Sequence, residues 1–348
     1  MGVQCGIIGL PNVGKSTIFN ILTKMTVPSL NFPFCTISPN IGFSIVYDKR
    51  LINLKKIVSP KKVIFSSVKL VDIAGLVKGA SKGEGLGNKF LQEIKKVNAL
   101  IHVVRCFKDE SIIHVQNKVN PINDIDVINT ELIFSDINVC EKSIIILNNS
   151  KNIDENLIYE EKSLLNKCLL NLKNFIFLRK INFSQKEMFL IKKFNFLTLK
   201  PMLYLININI DNKKNVCLNN VKEFLKNDIY KTINPNSLKE TNKYDNRLFD
   251  LSKIIHSIYK ILKLKTFFTV GKKEIRAWSF IKNSKCIDVS KIIHSDFKKG
   301  FIRAKVIRYK DFIRYKNENS VKKAGKLKLE GKNYLVQDGD IIHFLFNL

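Results

Sequence analysis

The chain has 348 residues, 45% hydrophobic and 26% charged, which excludes a disordered or fibrous protein and leaves room for two or three domains with real cores. No uncharged apolar run reaches membrane-spanning length and no N-terminal signal stands out, so a soluble, cytoplasmic chain is expected. The seven cysteines are scattered without a CxxC pair, which points to reduced thiols rather than a disulfide frame or a zinc site. The net charge of +29, with a pI near 9.8, suits an RNA or ribosome surface; it equally suits compositional drift in a sequence rich in Lys, Asn and Ile.

In chain order, Val3 to Ile8 is an apolar run fit for a buried strand. It leads into Gly9-Leu10-Pro11-Asn12-Val13-Gly14-Lys15-Ser16, which reads GxxxxGKS. Thr17 to Leu22 then carries apolar residues at helical spacing. Strand, glycine loop and helix are the context in which this motif cradles phosphates: glycines let the backbone wrap an anion, and the helix start adds free N–H groups and its positive dipole end. Lys15 is expected to reach the β- and γ-phosphates, and Ser16 to hold Mg²⁺. Such a site also needs a carboxylate for the metal and a second hydroxyl that senses the γ-phosphate. Asp72, ending the apolar strand Val68 to Val71, fits the first role, and Thr36, in a loop entering a strand, fits the second.

A glycine-rich run through Gly79, Gly83, Gly85 and Gly87 follows, with the character of a nucleotide-responsive switch. Next come the amphipathic segment Phe90 to Val97 and the buried strand Ala99 to Val104. Strands alternating with helices predict an α/β, doubly wound parallel sheet. From about 124 to 200 the spacing of Ile128, Leu132 and Ile133, then of Leu165, Cys168, Leu169 and Leu172, predicts an inserted hairpin of two long helices around Asn148–Asn152. Pro201 stops the helices and Met202 to Ile206 resumes the strand pattern. Residues 212–247 carry no clear pattern, and Leu248 to Leu264 reads as a helix. Short strands then follow at Thr266–Val270, Ile275–Phe280, Ala304–Ile307 and Ile341–Phe346, a small β-rich domain. Its interleaved Lys298, Lys299, Arg303, Lys305, Arg308 and Lys310 with Phe301, Tyr309 and Phe312 suit RNA, or equally a solvated basic face over core aromatics.

Gly9–Thr17, Asn31–Thr36, Asp72–Gly83, Arg105-Cys106-Phe107, Gly300–Ala304 and Asp338–Asp340 together resemble the Obg-like ATPases, the YchF family of P-loop NTPases, over nearly the whole chain. The resemblance implies a Ras-like nucleotide domain at 1–123 and 201–262, a helical coiled-coil arm at 124–200, and a β-grasp-like TGS domain at 263–347. It implies a slow ATPase acting as a nucleotide-dependent switch on ribosomes; an Obg-type GTPase and a non-hydrolysing adaptor are the alternatives. It implies nucleotide contacts from Asn12, Val13, Gly14, Lys15, Ser16, Thr17, Asn207 and Ile208, and Mg²⁺ contacts from Ser16, Thr36 and Asp72. Ras-like enzymes orient the attacking water with a Gln where this chain has Leu76, and the family's proposed substitute histidine matches His114. Asn12 stands where potassium-stimulated relatives hold a monovalent cation. The guanine reader Asn-Lys-x-Asp is replaced by Asn207-Ile208-Asn209-Ile210, with Asp211 one place later, which favours ATP over GTP.

Overall fold

The computed structural model describes residues 3–23, 40–74, 86–109, 119–149, 154–209, 216–240 and 244–347. The first half runs β1 (Gln4–Ile8), α1 (Lys15–Thr23), β2 (Ile41–Val46), α2 (Lys49–Val58), β3 (Lys62–Ile64), β4 (Ser66–Asp72), α3 (Leu86–Lys96) and β5 (Ala99–Arg105). Then come α4 (Pro121–Asn148), α5 (Glu155–Lys173), α6 (Gln185–Ile191), β6 (Met202–Asn207), α7 (Val216–Phe224), β7 (Tyr230–Ile233), α8 (Pro235–Glu240) and α9 (Tyr244–Ile261). The C-terminal region adds β8 (Leu264–Val270), β9 (Glu274–Ile281), α10 (Cys286–Ile293), α11 (Ser295–Lys299), β10 (Phe301–Arg308), α12 (Tyr309–Tyr315), α13 (Glu318–Lys323), β11 (Lys328–Glu330) and β12 (Asp340–Phe346).

The first sheet has the order β2-β4-β1-β5-β6-β7, and the pairs β1–β4, β1–β5, β5–β6 and β6–β7 are all parallel. Every residue of β5 and of β6 is buried, as strands covered on both faces must be; this is why they read as unbroken apolar runs. Chain order reverses on either side of β1, which is where an open α/β sheet opens a crevice at the strands' carboxyl ends. The patternless stretch 212–247 holds α7, β7, α8 and the start of α9; β7 closes the sheet edge beside β6. With only four residues, it is too short to show an alternation.

The inserted hairpin packs Ile133, Cys140 and Leu147 of α4 with Leu164, Leu165, Cys168 and Leu172 of α5. Beyond the two expected long helices, α6 begins with a capping box, Ser184 accepting from the Glu187 N–H and Glu187 accepting from the Ser184 N–H. Asp136 of α4 ties this insert to the chain returning to the sheet: its carboxylate accepts from the Leu197 and Thr198 N–H groups at 2.9 and 2.7 Å and from the Thr198 hydroxyl at 2.7 Å.

The second sheet runs β11-β10-β12-β8-β9-β3 and shows how alternation divides a β-grasp-like core. Phe267, Val306 and Ile342 join Cys286 and Val289 of α10 on one face, while their neighbours Phe268, Ile307 and Ile341 join Leu51 and Leu54 of α2 and Phe312 of α12 on the other. Thus Phe43–Val68, placed with the nucleotide domain in the sequence reading, clusters with Leu248 and the residues after it. The cause is local: α2 has an apolar stripe to bury, and β3 pairs in parallel with β9.

Candidate functional site

β1 ends at Ile8 and the chain turns back over the sheet through Gly9–Gly14 before α1 starts at Lys15. A Cβ on Gly9 would stand 2.7 Å from the Val103 carbonyl oxygen, so only glycine lets the loop lie this close to β5. Gly14 has φ +93°, and a Cβ there would meet the Asn207 amide nitrogen at 2.5 Å. Asn12 also adopts a left-handed conformation, φ 61°, one that Asn tolerates better than other side chains do. The first helical bond runs from the Ile18 N–H to the Gly14 carbonyl at 3.0 Å.

Around this loop lies a cavity of about 440 Å³. Asn12, Gly14, Lys15, Ser16 and Thr17 line one side, and Asn207, Ile208 and Asn209 from the end of β6 line another. Val13 is buried and faces its side chain to the core, contributing its carbonyl instead: the Asn207 amide donates to it at 3.0 Å. Asn207 itself is 3% exposed, and its Oδ1 has no hydrogen-bond donor among the described residues. The Ser16 hydroxyl donates to Asp72 Oδ2 at 2.9 Å, which brings these two predicted ligands together at the loop's end.

Lys15 donates to the Leu10 carbonyl at 2.6 Å and is largely buried. Burial pulls its ammonium down to about 8, against the opposing pull of the Asp72 carboxylate. Beneath, on β5, burial together with the Arg179 and Lys15 charges lowers His102 to about 3, so this ring stays neutral. Thr36, Leu76, His114, Ile210, Asp211 and the glycine run up to Gly85 lie outside the described residues.

Three lining residues, Asp109, Pro235 and Asn236, were not singled out from sequence, and Phe107 was named only within the motif Arg105-Cys106-Phe107. Phe107 and Asp109 follow β5, and Pro235 and Asn236 open α8. Arg105 shapes the first pair: fully buried, it donates to the carbonyls of Phe107 at 3.2 Å and Asp109 at 3.0 Å, and its guanidinium lies 4.8 Å from the Phe107 ring centre. The second pair had a readable signal, the Asn234-Pro235 step: Asn234 Oδ1 accepts from the N–H groups of Asn236 and Ser237 as a helix cap does. In the C-terminal region, Phe301 and Phe312 are core residues rather than stacking platforms, and Lys298, Lys305 and Arg308 pair with Asp288, Glu318 and Asp340.

A backbone that wraps an anion at a helix start, with a lysine and a hydroxyl–carboxylate pair beside it, places the chain among the P-loop nucleotide-binding proteins. Residues 4–149 match a family model described as 50S ribosome-binding GTPase, and residues 264–347 match the YchF GTPase C-terminal model, described as a protein of unknown function. The chain is 50% identical to the Ribosome-binding ATPase YchF of Buchnera aphidicola subsp. Acyrthosiphon pisum and 44% identical to that of Escherichia coli O157:H7, covering all of both chains in each case. It also superposes on the Schizosaccharomyces pombe YchF GTPase with a TM-score of 0.88 at 33% identity, over 99% of this chain and 98% of that one. The chain belongs to the YchF family.

Proposed function

We propose that this chain is a slow, Mg²⁺-dependent ATPase whose nucleotide state governs its association with ribosomes in the cytoplasm. The relatives' name, Ribosome-binding ATPase, supports both halves, and the charge of +29 supports an RNA-rich partner. The observation that carries the choice of ATP is the segment after Asn207, where Ile208 and Ile210 stand in place of the Lys and Asp of the guanine reader. Asn207 itself, common to both readers, donates to the Val13 carbonyl and keeps a buried oxygen at the cavity.

The Ser16–Asp72 pair is a fit for Mg²⁺: two hard oxygen donors 2.9 Å apart, with no cluster of three His, Cys, Asp or Glu among the described residues to make an all-protein cage. A Mg²⁺ held by Ser16 and Asp72 would supply positive charge against the negative charge that develops on the phosphates during transfer. In this reading Thr36 completes the metal contacts, His114 orients the attacking water in place of the missing Gln, and Asn12 helps hold K⁺. Lys15 supplies the fixed positive charge, and the Gly14–Thr17 backbone holds the phosphates. The domain roles are the nucleotide site in 1–123 and 201–262, less the Phe43–Val68 segment that clusters with the C-terminal residues, a partner-binding arm in 124–200 and a TGS domain in 263–347.

Phosphate release by the purified chain tests the activity. ATP turnover in Mg²⁺ that is lost in Lys15→Ala is expected; equal release from both proteins would refute it. His114→Ala is expected to abolish turnover while nucleotide binding survives, and turnover in potassium is expected to exceed that in sodium.

A further inference from the structure

Among the described residues, Cys5, Cys106, Cys140, Cys168 and Cys286 are buried, and Cys217 is the one cysteine that is partly exposed. It stands second in α7, and its sulfur accepts a hydrogen bond from the Cys106 thiol across 3.4 Å. The two residues are 111 positions apart, so the fold and not chain proximity brings them together.

Each thiol belongs to a different segment lining the nucleotide cavity. Cys106 follows Arg105 at the end of β5, and its N–H donates to the Asn207 carbonyl at 2.8 Å. Phe107 and Asp109, which line the cavity, come directly after it. Cys217 lies in the helix that follows Asn207, Ile208 and Asn209, the lining residues at the end of β6. A bond between the sulfurs would tie these two lining segments together. A buried cysteine commonly serves as a small apolar side chain, which accounts for Cys106. It does not account for a partly exposed thiol set against it. Burial, with the hydrogen bond to Cys217 and the charge there, pushes the Cys106 thiol up to about 12, while the Lys222 charge on α7 pulls the other way. Cys106 is thus a proton-bearing thiol held against its partner, and Cys217 is the sulfur that a dissolved oxidant meets first.

We propose that Cys106 and Cys217 form a reversible disulfide under hydrogen peroxide, and that this bond slows nucleotide release. First the Cys217 sulfur attacks one peroxide oxygen. An S–O bond forms, the O–O bond breaks, and the other oxygen leaves as water with the Cys217 proton. The sulfur is oxidised to a sulfenic acid and the peroxide is reduced. The Cys106 sulfur then attacks that of Cys217. The S–S bond forms, the S–O bond breaks, and the hydroxyl leaves as water with the Cys106 proton. The neutral sulfenic acid no longer carries the charge that helps hold the Cys106 thiol up. A disulfide sets its sulfurs about 2 Å apart, so a pair at 3.4 Å has to close by about 1.4 Å. A cellular dithiol reverses the bond by exchange, as suits a transient disulfide in a reducing compartment. Nucleotide leaves when the segments around it part, and a covalent tie between them opposes that motion. Control of release rests on the nucleotide reading above; the disulfide does not.

The first test treats the reduced full-length chain with hydrogen peroxide, digests it without reductant and weighs the peptides. A linked pair carrying Cys106 and Cys217, lighter than the separate reduced peptides by two hydrogens and absent after dithiothreitol, is expected. Absence of that pair would overturn the site. The second follows release of a fluorescent ATP analogue in Mg²⁺ after addition of excess ATP. Oxidised wild type should release it several-fold more slowly than reduced wild type, and dithiothreitol should restore the rate. Cys217→Ser, which leaves the buried thiol in place, should release it at the same rate with and without peroxide. Equal rates from oxidised and reduced wild type would overturn the control of release. A chain that fails to bind the analogue would refute the nucleotide reading and that control with it, while the peptide result alone decides the disulfide.

Discussion

At the scale of single residues, the loop is held by contacts that leave little freedom. Gly14→Ala combines a clash at 2.5 Å with a left-handed backbone, which costs an L-residue roughly 1–2 kcal/mol by itself. The variant is expected to lose ATP binding in a calorimetric titration while its circular dichroism stays native. Asn207→Ala removes the Val13 contact that fixes the loop; about 1–3 kcal/mol of nucleotide affinity should go, a loss of roughly 5- to 150-fold. Lys15 gives a pH dependence. Its ammonium titrates near 8 in the free protein, so the cation that phosphates need is present below that pH and lost above it. ATP affinity should therefore fall as pH rises through about 8, and Lys15→Ala should flatten the profile. These roles were legible to different degrees. GxxxxGKS gives the phosphate grip, and Asp72 stands out because it ends an apolar run. The Asn207–Val13 bond spans 194 positions and follows only from strand register. Phe107 and Asn236 sit on loops whose convergence no local pattern encodes.

At the scale of elements, Asp136 shows how the helical insert is fastened. Burial raises its carboxyl to about 6, although three hydrogen bonds from residues 197 and 198 oppose the shift. A carboxyl whose folded value lies above its unfolded value near 3.8 contributes stability at low pH and loses it as pH rises through about 6. Wild type should thus show a step in urea midpoint near pH 6 that Asp136→Asn lacks. Asp136→Ala orphans buried backbone N–H groups at about 1–3 kcal/mol each and should lower the melting temperature by several degrees. The two long helices were readable from their apolar spacing, whereas α6 and β7 were not. Short elements lack the repeats that a periodic signal requires. α2 had such a signal, with Leu51 and Leu54 on one side, yet nothing in its pattern names the sheet it covers.

At the scale of the whole molecule, a phosphate grip on one sheet and a basic second unit fit a nucleotide-controlled binder of RNA-rich surfaces. The sequence suggested the three segments because each has its own texture: alternating strands and helices, long helical repeats, then short strands. It could not show that Phe43–Val68 clusters with the C-terminal residues, since Ile45, Leu51 and Phe65 meet Phe268 and Ile341 only after the chain has returned across roughly 200 to 300 positions. Ribosome cosedimentation should weaken steeply as salt rises, and should differ between the ATP-loaded and nucleotide-free chain; identical pelleting in both states would contradict the switch. A Gly9–Ser16 loop that serves an adenine nucleotide is the core of the proposed function. It is tested most directly by titrating ATP and GTP in parallel into the purified chain with Mg²⁺. Tighter binding of ATP is the predicted result; GTP binding as tightly as ATP, or tighter, would contradict it.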